Sequence, residues 1–177
     1  MSKATGYSLW LVPESGTETH QLLDKFVRNV ATQYQTPIFD PHVTLLGGVE
    51  GKEQDMREKT LTLAEQLAPY EIQLGEIGSS ATYFQILFSR VQETSAMMNA
   101  HAAAQKVFAV DKGYYVPHLS LAYGDLSNEQ VATLRQIIAQ SNKFTGMHFR
   151  AQGVELWRTV GTVEEWCIVA TFPFGKS

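Results

Sequence analysis

Two short segments hold the residue types that could do chemistry. They read Pro41-His42-Val43-Thr44-Leu45-Leu46-Gly47 and Pro117-His118-Leu119-Ser120-Leu121-Ala122-Tyr123-Gly124. Both run proline, histidine, apolar residue, hydroxyl residue, apolar residue, and both end on glycine. In a β-strand alternate side chains share a face. His42 and Thr44 then point one way, as do His118 and Ser120, while Val43, Leu45, Leu119 and Leu121 point into a core. An imidazole titrates at about 6.5 when unperturbed, so it can take or give a proton near neutral pH. Two of them suit reaction at phosphorus, one activating water and the other protonating the leaving oxygen from the opposite side. The two hydroxyls could donate to the non-bridging oxygens, where negative charge accumulates. The expectation is therefore opening of a cyclic phosphodiester, with His42 and His118 as the acid–base pair and Thr44 and Ser120 holding the phosphate. The two motifs supply no carboxylate, which a two-metal site usually wants. A zinc site on His42 and His118 would need a third ligand that the sequence does not offer. No metal and no cofactor are expected.

The rest of the chain must bring these two segments together. Tyr7 to Val12 reads as a strand closed by Pro13. A helix follows, capped by Thr17 or Thr19, with Leu22, Leu23, Phe26, Val27, Val30, Ala31 and Tyr34 at spacings of three and four. After the first histidine strand, Gly47-Gly48 and Gly51 are read as its end. A helix over about 52–68, a strand at 70–74 and a loop through Gly75, Gly78, Ser79 and Ser80 come next. Tyr83 to Phe88 reads as a strand and 93–109 as a helix. The second histidine strand follows, then a helix capped by Asp125 or Ser127 and running to about Gln140. Strands near 151–158 and 166–172 flank a hairpin loop at 160–164.

This order is a repeat: strand, helix, histidine strand, helix, strand, twice over. Seventy-six residues separate His42 from His118, and the same number separates Tyr7 from Tyr83. The duplication, approximately 7–77 and 83–158 with a final strand at 165–173, predicts one α+β domain over 1–177. It is expected to have two lobes related by a pseudo-two-fold axis, each with an antiparallel sheet and flanking helices around a central cleft. The last strand could return to pair beside the first.

Charged residues make up 18% and apolar residues 44% of the 177, a globular balance that disfavours disorder. The net charge of −4 and the absence of an Arg/Lys cluster disfavour a stable partnership with long nucleic acid. No run approaches a membrane span of about 20 apolar residues. Cys167 is the sole cysteine, so no intramolecular disulfide forms. Its setting, Trp166-Cys167-Ile168-Val169, reads as strand interior and a buried structural thiol rather than a nucleophile. A monomer in the cytosol is expected. His20, His101 and His148 lie outside the pattern and are expected to be structural.

The paired His42-x-Thr44 and His118-x-Ser120 resemble the signature of the 2H phosphoesterase superfamily. With Tyr7-Ser8-Leu9-Trp10-Leu11-Val12-Pro13 added, nearly the whole chain resembles the cyclic phosphodiesterases of plants and yeast. The resemblance implies a bilobal α+β fold with a water-filled cleft. It implies metal-independent opening of nucleoside 2′,3′-cyclic phosphates to 2′-phosphates, and action on ADP-ribose 1″,2″-cyclic phosphate, a by-product of tRNA splicing. It gives His118 the activation of water and His42 the protonation of the leaving oxygen. Tyr123 matches a phosphate-binding tyrosine, although its odd spacing from His118 requires a bulge or a strand end to re-aim it. Trp10 and Phe84 match aromatic positions near the nucleoside. The paired cysteines of plant members have no counterpart here. Two rivals remain: an RNA 2′-5′ ligase-like enzyme of the same superfamily, which the acidic balance disfavours, and a silent nucleotide-binding module, which would not need two titrating groups.

Overall fold

Among the described residues eight strands and four α-helices follow one another as β1 (Tyr7–Leu11), α1 (Glu18–Tyr34), β2 (Val43–Val49), α2 (Glu53–Gln66), β3 (Tyr70–Gly78), β4 (Leu87–Val91), α3 (Ser95–Phe108), β5 (His118–Ala122), α4 (Asn128–Ser141), β6 (His148–Ala151), β7 (Gly153–Arg158) and β8 (Cys167–Pro173). The computed structural model describes residues 2–141, 143–144 and 146–175. Met1, Lys176 and Ser177, at the ends of the expected domain, lie outside the described residues. All strands join one antiparallel sheet in the order β6-β3-β4-β5-β2-β1-β7-β8. The α+β class is as expected, but the lobes do not own separate sheets. Their halves meet where β2 pairs with β5, at the single Cα pair Val43↔Leu119. Pro41 and Pro117, just ahead of the histidines, have no N–H to extend a ladder there.

The sheet order reads the same from either end: β2 matches β5, β1 matches β4, β7 matches β3, and β8 matches β6. The halves are interleaved in sequence. β3 crosses to pair with β4, and β7 returns to pair with β1. The spatial halves therefore draw strands from both segments, 7–77 and 83–158, rather than from one each. The helices cross over too, α1 packing on β5 and α3 on β2. They cover the face where Val43, Leu45, Leu119 and Leu121 are fully buried. The histidines and hydroxyls take the opposite face, as the two-residue period requires.

Local chemistry sets the element ends. Thr17 caps α1 by accepting from the His20 N–H, and Thr94 caps α3 by accepting from the Met97 N–H. Ser127 and Gln130 form a reciprocal cap ahead of α4. The glycines 47 and 48 do not end β2, which runs on to Val49. Gly48 has a φ of 61°, and the register against β1 shifts nearby, so the pair makes a bulge. Tyr83–Gln85 is a turn of 3-10 helix rather than strand, and β4 starts only at Leu87. Ser80 explains the difference. Its side chain donates to the Gln85 carbonyl and bonds Thr82, closing a local turn in competition with a ladder. The equal Tyr7 and Tyr83 spacings are thus no structural correspondence. Trp10 lies opposite Thr44, and its counterpart opposite Ser120 is Phe88. Cys167 is exposed, not buried, because β8 is an edge strand with a neighbour on one side only.

Candidate active site

The backbone holds both histidine rings in the same way. The His42 Nδ1–H donates to the Asp40 carbonyl at 2.6 Å, and the His118 Nδ1–H donates to the Val116 carbonyl at 2.8 Å. A carbonyl only accepts, so each Nδ1 carries a proton and each neutral ring presents a bare Nε2. The intervening prolines make this contact cheap. Each fixes its own φ near −65° and biases the residue before it toward extended backbone, which presents the carbonyl two residues back from the histidine. The Pro-His dipeptide is therefore part of the imidazole's aim.

His42, Thr44, His118, Ser120, Tyr123, Trp10 and Phe84 all line one cavity of about 290 Å³. Sequence reasoning singled out each of them, and the fold brings all of them together. His42 is 3% exposed, and His118 is more open. β5 ends at Ala122, which frees Tyr123 from strand alternation and lets it turn back into the cleft. Gly124, at a φ of 123°, makes that turn, and its N–H donates to the Tyr83 carbonyl at 3.0 Å. The Tyr123 hydroxyl donates to His42 Nε2 at 3.4 Å. A phenol from the end of the second motif's strand thus reaches the histidine of the first. Ser120 Oγ donates to the Phe84 carbonyl at 3.1 Å. A hydroxyl rotates, so an arriving acceptor can recruit it from there.

Trp10 departs from its expected role. Its ring lies flat on His42, centroids 3.5 Å apart and planes 5° apart, and it also stacks on Trp157 at 4.2 Å. With 2% of its surface exposed and neighbours from β2 and β7 on its two sides, it has no face left for a nucleobase. It acts as a wall that orients His42. Phe84 is partly exposed, edge-on to Tyr123 at 5.4 Å and tilted against Trp166 at 5.6 Å. Phe88, the counterpart of Trp10 in the other half, packs edge-on against His118 at 5.3 Å.

Sequence reasoning missed Trp166, Ser8, Thr159 and Gln85, which also line the cavity. The Trp166 indole N–H is buried there without a partner. Ser8 Oγ and Thr159 Oγ1 bond each other at 2.9 Å. Ser8 was within reach, since it shares a strand face with Trp10 at a spacing of two. Trp166 and Thr159 gave no signal, because the β7–β8 connection that delivers them has no motif.

Burial drives the electrostatics. Desolvation pushes the His42 pKa from the ordinary 6.5 down to about 3, against the upward pull of the Asp40 carbonyl. A charge on His118 would lower it further. His42 is thus neutral near pH 7 in the free protein. Burial also raises the Tyr123 pKa well above that of a free phenol, so the hydroxyl keeps its proton and remains a donor. Among the described residues no group of three or more His, Cys, Asp or Glu is placed to hold a metal ion, and no helix is long and apolar enough to cross a membrane.

The chain has known relatives. A family model for cyclic phosphodiesterase-like proteins matches residues 5–174. A cyclic phosphodiesterase of Arabidopsis thaliana is 24% identical over 169 residues, spanning 93% of this chain and 92% of its own. Among solved structures, the LigT protein of E. coli in complex with 3′-AMP superposes with a TM-score of 0.62 at 9% identity, covering 96% of this chain and 98% of that one. A protein of Thermus thermophilus superposes with a TM-score of 0.61 at 14% identity, covering 96% and 97%. These two likenesses bear on the fold alone.

Proposed function

The chain belongs to the cyclic phosphodiesterase-like family of the 2H phosphoesterases, and from that premise we propose that it opens nucleoside 2′,3′-cyclic phosphates to 2′-phosphates, with His42 and His118 as the acid–base pair. The observation that carries this reading is the matched aim of two imidazoles into one cavity, each tethered through Nδ1 to the carbonyl two residues back. Two Nε2 atoms delivered from opposite halves of the sheet suit in-line displacement, which needs proton transfer on both sides of phosphorus. Thr44, Ser120 and the Tyr123 hydroxyl donate to the non-bridging oxygens. The Ser120 and Tyr123 hydroxyls are already hydrogen-bonded at the cavity wall before substrate arrives, and placed donors of this kind stabilise developing charge. Phe84 and Trp166 flank the nucleoside. ADP-ribose 1″,2″-cyclic phosphate offers the same reacting group and is a second substrate.

The proton inventory places a condition on the division of labour. His118 activates water and His42 protonates the leaving oxygen only if His42 is charged when the substrate is bound. Its burial keeps it neutral in the free protein. A phosphate anion beside the ring favours the charged form, so substrate binding itself supplies the acid.

The test is turnover of 2′,3′-cyclic AMP in EDTA with the products resolved. The reading predicts 2′-AMP at a rate unchanged by the chelator. Formation of 3′-AMP, or a rate abolished by EDTA and restored by a divalent metal, would overturn it. Binding of the cyclic nucleotide without turnover would leave a silent binding module.

A further inference from the structure

The histidines of the two motifs are tethered alike but supported differently. A single hydrogen bond through Nδ1 fixes one point of an imidazole and leaves the ring free to turn about that contact. The direction of Nε2 therefore depends on what lies against the ring. His118 meets Phe88 edge-on, at 5.3 Å and 62°. His42 instead lies flat on Trp10, at 3.5 Å and 5°. Trp10 is covered in turn by Trp157 of β7, at 4.2 Å and 23°. The aim of the buried histidine is thus set by a stack of rings from three adjacent strands, β2, β1 and β7.

A carboxyl group ends this stack. On β7, Trp157 stands opposite Ser8 and Glu155 stands opposite Trp10. Residues two apart on a strand share a face. The Trp157 indole N–H reaches back along its own strand and donates to Glu155 Oε2 at 2.7 Å. That bond leans the ring toward Trp10, its diagonal neighbour, rather than toward Ser8 directly across. An indole held by packing alone turns broadly about its last side-chain torsion. One short bond to a fixed acceptor selects a single flat orientation.

The position of Glu155 is otherwise unfavourable. It is half-buried, and burial pushes its carboxyl up from the ordinary value, with the indole N–H opposing the rise and the Asp40 charge adding to it. Among the described residues no Lys, Arg or His forms an ion pair with it. A carboxyl group partly removed from water without a cation destabilises unless its hydrogen bonds offset the loss. Neither Glu155 nor Trp157 lines the reaction cavity, and Glu155 opens instead on a separate cavity of about 290 Å³ with Val12, Glu14 and Thr171. Any effect of Glu155 on the reaction must travel through the rings.

We propose that Glu155 is a positioning residue for His42: its carboxyl group locks the Trp157 ring, Trp157 backs Trp10, and Trp10 holds the plane in which His42 Nε2 meets the substrate. The stack has a second consequence. The face of an indole attracts a cation, so the contact that orients His42 also favours the imidazolium formed when a phosphate arrives. The kinetic side of the proposal rests on the acid–base reading of His42, and the structural side rests on the ring stack alone.

The experiment compares wild type, Glu155→Leu, Glu155→Gln, Trp157→Phe and the double variant Glu155→Leu/Trp157→Phe, each checked for a native circular dichroism spectrum. Leucine removes the acceptor, glutamine keeps one at the same reach, and phenylalanine keeps a flat ring without the N–H. Two quantities are read. The first is the NMR shift of the His42 ring protons, which an indole stacked at 3.5 Å moves upfield. The second is kcat and KM for 2′,3′-cyclic AMP. Glu155→Leu should move the His42 resonances back downfield and lower kcat by about tenfold with KM changed by less than about twofold, as a misaimed proton donor would. Glu155→Gln should recover most of both losses. Trp157→Phe should match Glu155→Leu, and the double variant should lose no more than either single one, because the carboxyl group acts through the indole. A merely structural role would move neither readout in the folded protein. Unshifted His42 resonances in Glu155→Leu, a kcat equal to that of an active wild type, or losses that add in the double variant would overturn the assignment. Shifted resonances in a protein whose wild type does not turn over would refute the phosphodiesterase reading and uphold the lock. Wild-type turnover with unshifted resonances would refute the lock alone.

Discussion

Replacing His42 with asparagine should flatten the acid side of the protein's stability profile. The imidazole is 3% exposed and its pKa is pushed by burial from 6.5 to about 3. An unfolded chain binds a proton on this residue below pH about 6.5, and the folded chain does not until about 3, so stability falls as pH falls through that window. One pH unit between the unfolded and folded titrations corresponds to about 1.4 kcal/mol. By about pH 4.5 the wild type should have lost roughly 3 kcal/mol through this one group, and by about pH 3 roughly 5 kcal/mol. Set against a typical total of about 5–15 kcal/mol, that is a large share. The assay is urea denaturation at a series of pH values for wild type and His42→Asn, with the difference between the two curves read against pH. Carboxylates titrate in the same range but are common to both proteins, so the difference isolates His42. The variant should therefore lose less stability in acid than the wild type, the gap opening below pH about 6.5. Parallel curves, or an NMR titration that finds the His42 ring charging near its ordinary value in the folded protein, would refute the burial argument.

Other outcomes follow from the same geometry. Tyr123→Phe keeps the ring stacked on Phe39 at 3.8 Å but removes the hydroxyl that bonds His42. It should lower kcat by about tenfold to a hundredfold with little change in thermal stability, and an unchanged kcat would remove Tyr123 from the machinery. Gly124→Ala forces a Cβ to within 3.1 Å of Thr36 Cγ2 at a φ of 123°. It should cost about 1–3 kcal/mol in chemical denaturation and lower activity through Tyr123, whereas a neutral change would show that the turn tolerates a side chain. Calorimetric titration of 2′-AMP near pH 7 in buffers of different ionisation enthalpy should show the wild type taking up about one proton more than His42→Asn. Equal uptake would make His42 the base and His118 the acid.

Much of the site was legible in the sequence because strand geometry is simple. A histidine and a hydroxyl two residues apart share a face in any strand, so His42, Thr44, His118 and Ser120 could be grouped before their strands were placed. Tyr123 was legible only as a conditional, and the strand end at Ala122 meets the condition. Trp10 was placed at the cavity but not in its role, since nothing in one strand shows that Trp157 arrives from β7 to cover its other side. The Tyr83 strand failed because Ser80 satisfies backbone groups locally, a competition that apolar patterning does not register. The interleaving of the halves was open for a related reason. Which edge β3 and β7 choose is settled by packing between distant segments. Cys167 was misjudged because edge and interior strands share residue preferences and differ only in what lies beside them.

The central claim is that two buried-face histidines, one from each half, act together on one cyclic phosphate. The most direct measurement is single-turnover hydrolysis of 2′,3′-cyclic AMP by wild type, His42→Ala, His118→Ala and the double variant, each checked for a native circular dichroism spectrum. The account predicts that either single loss lowers the rate by several orders of magnitude, about 10²–10⁴ per lost proton-transfer group, and that the double loss costs little more than one, as expected of groups acting as a unit. Hydrolysis that survives the loss of either histidine in a folded variant would contradict it.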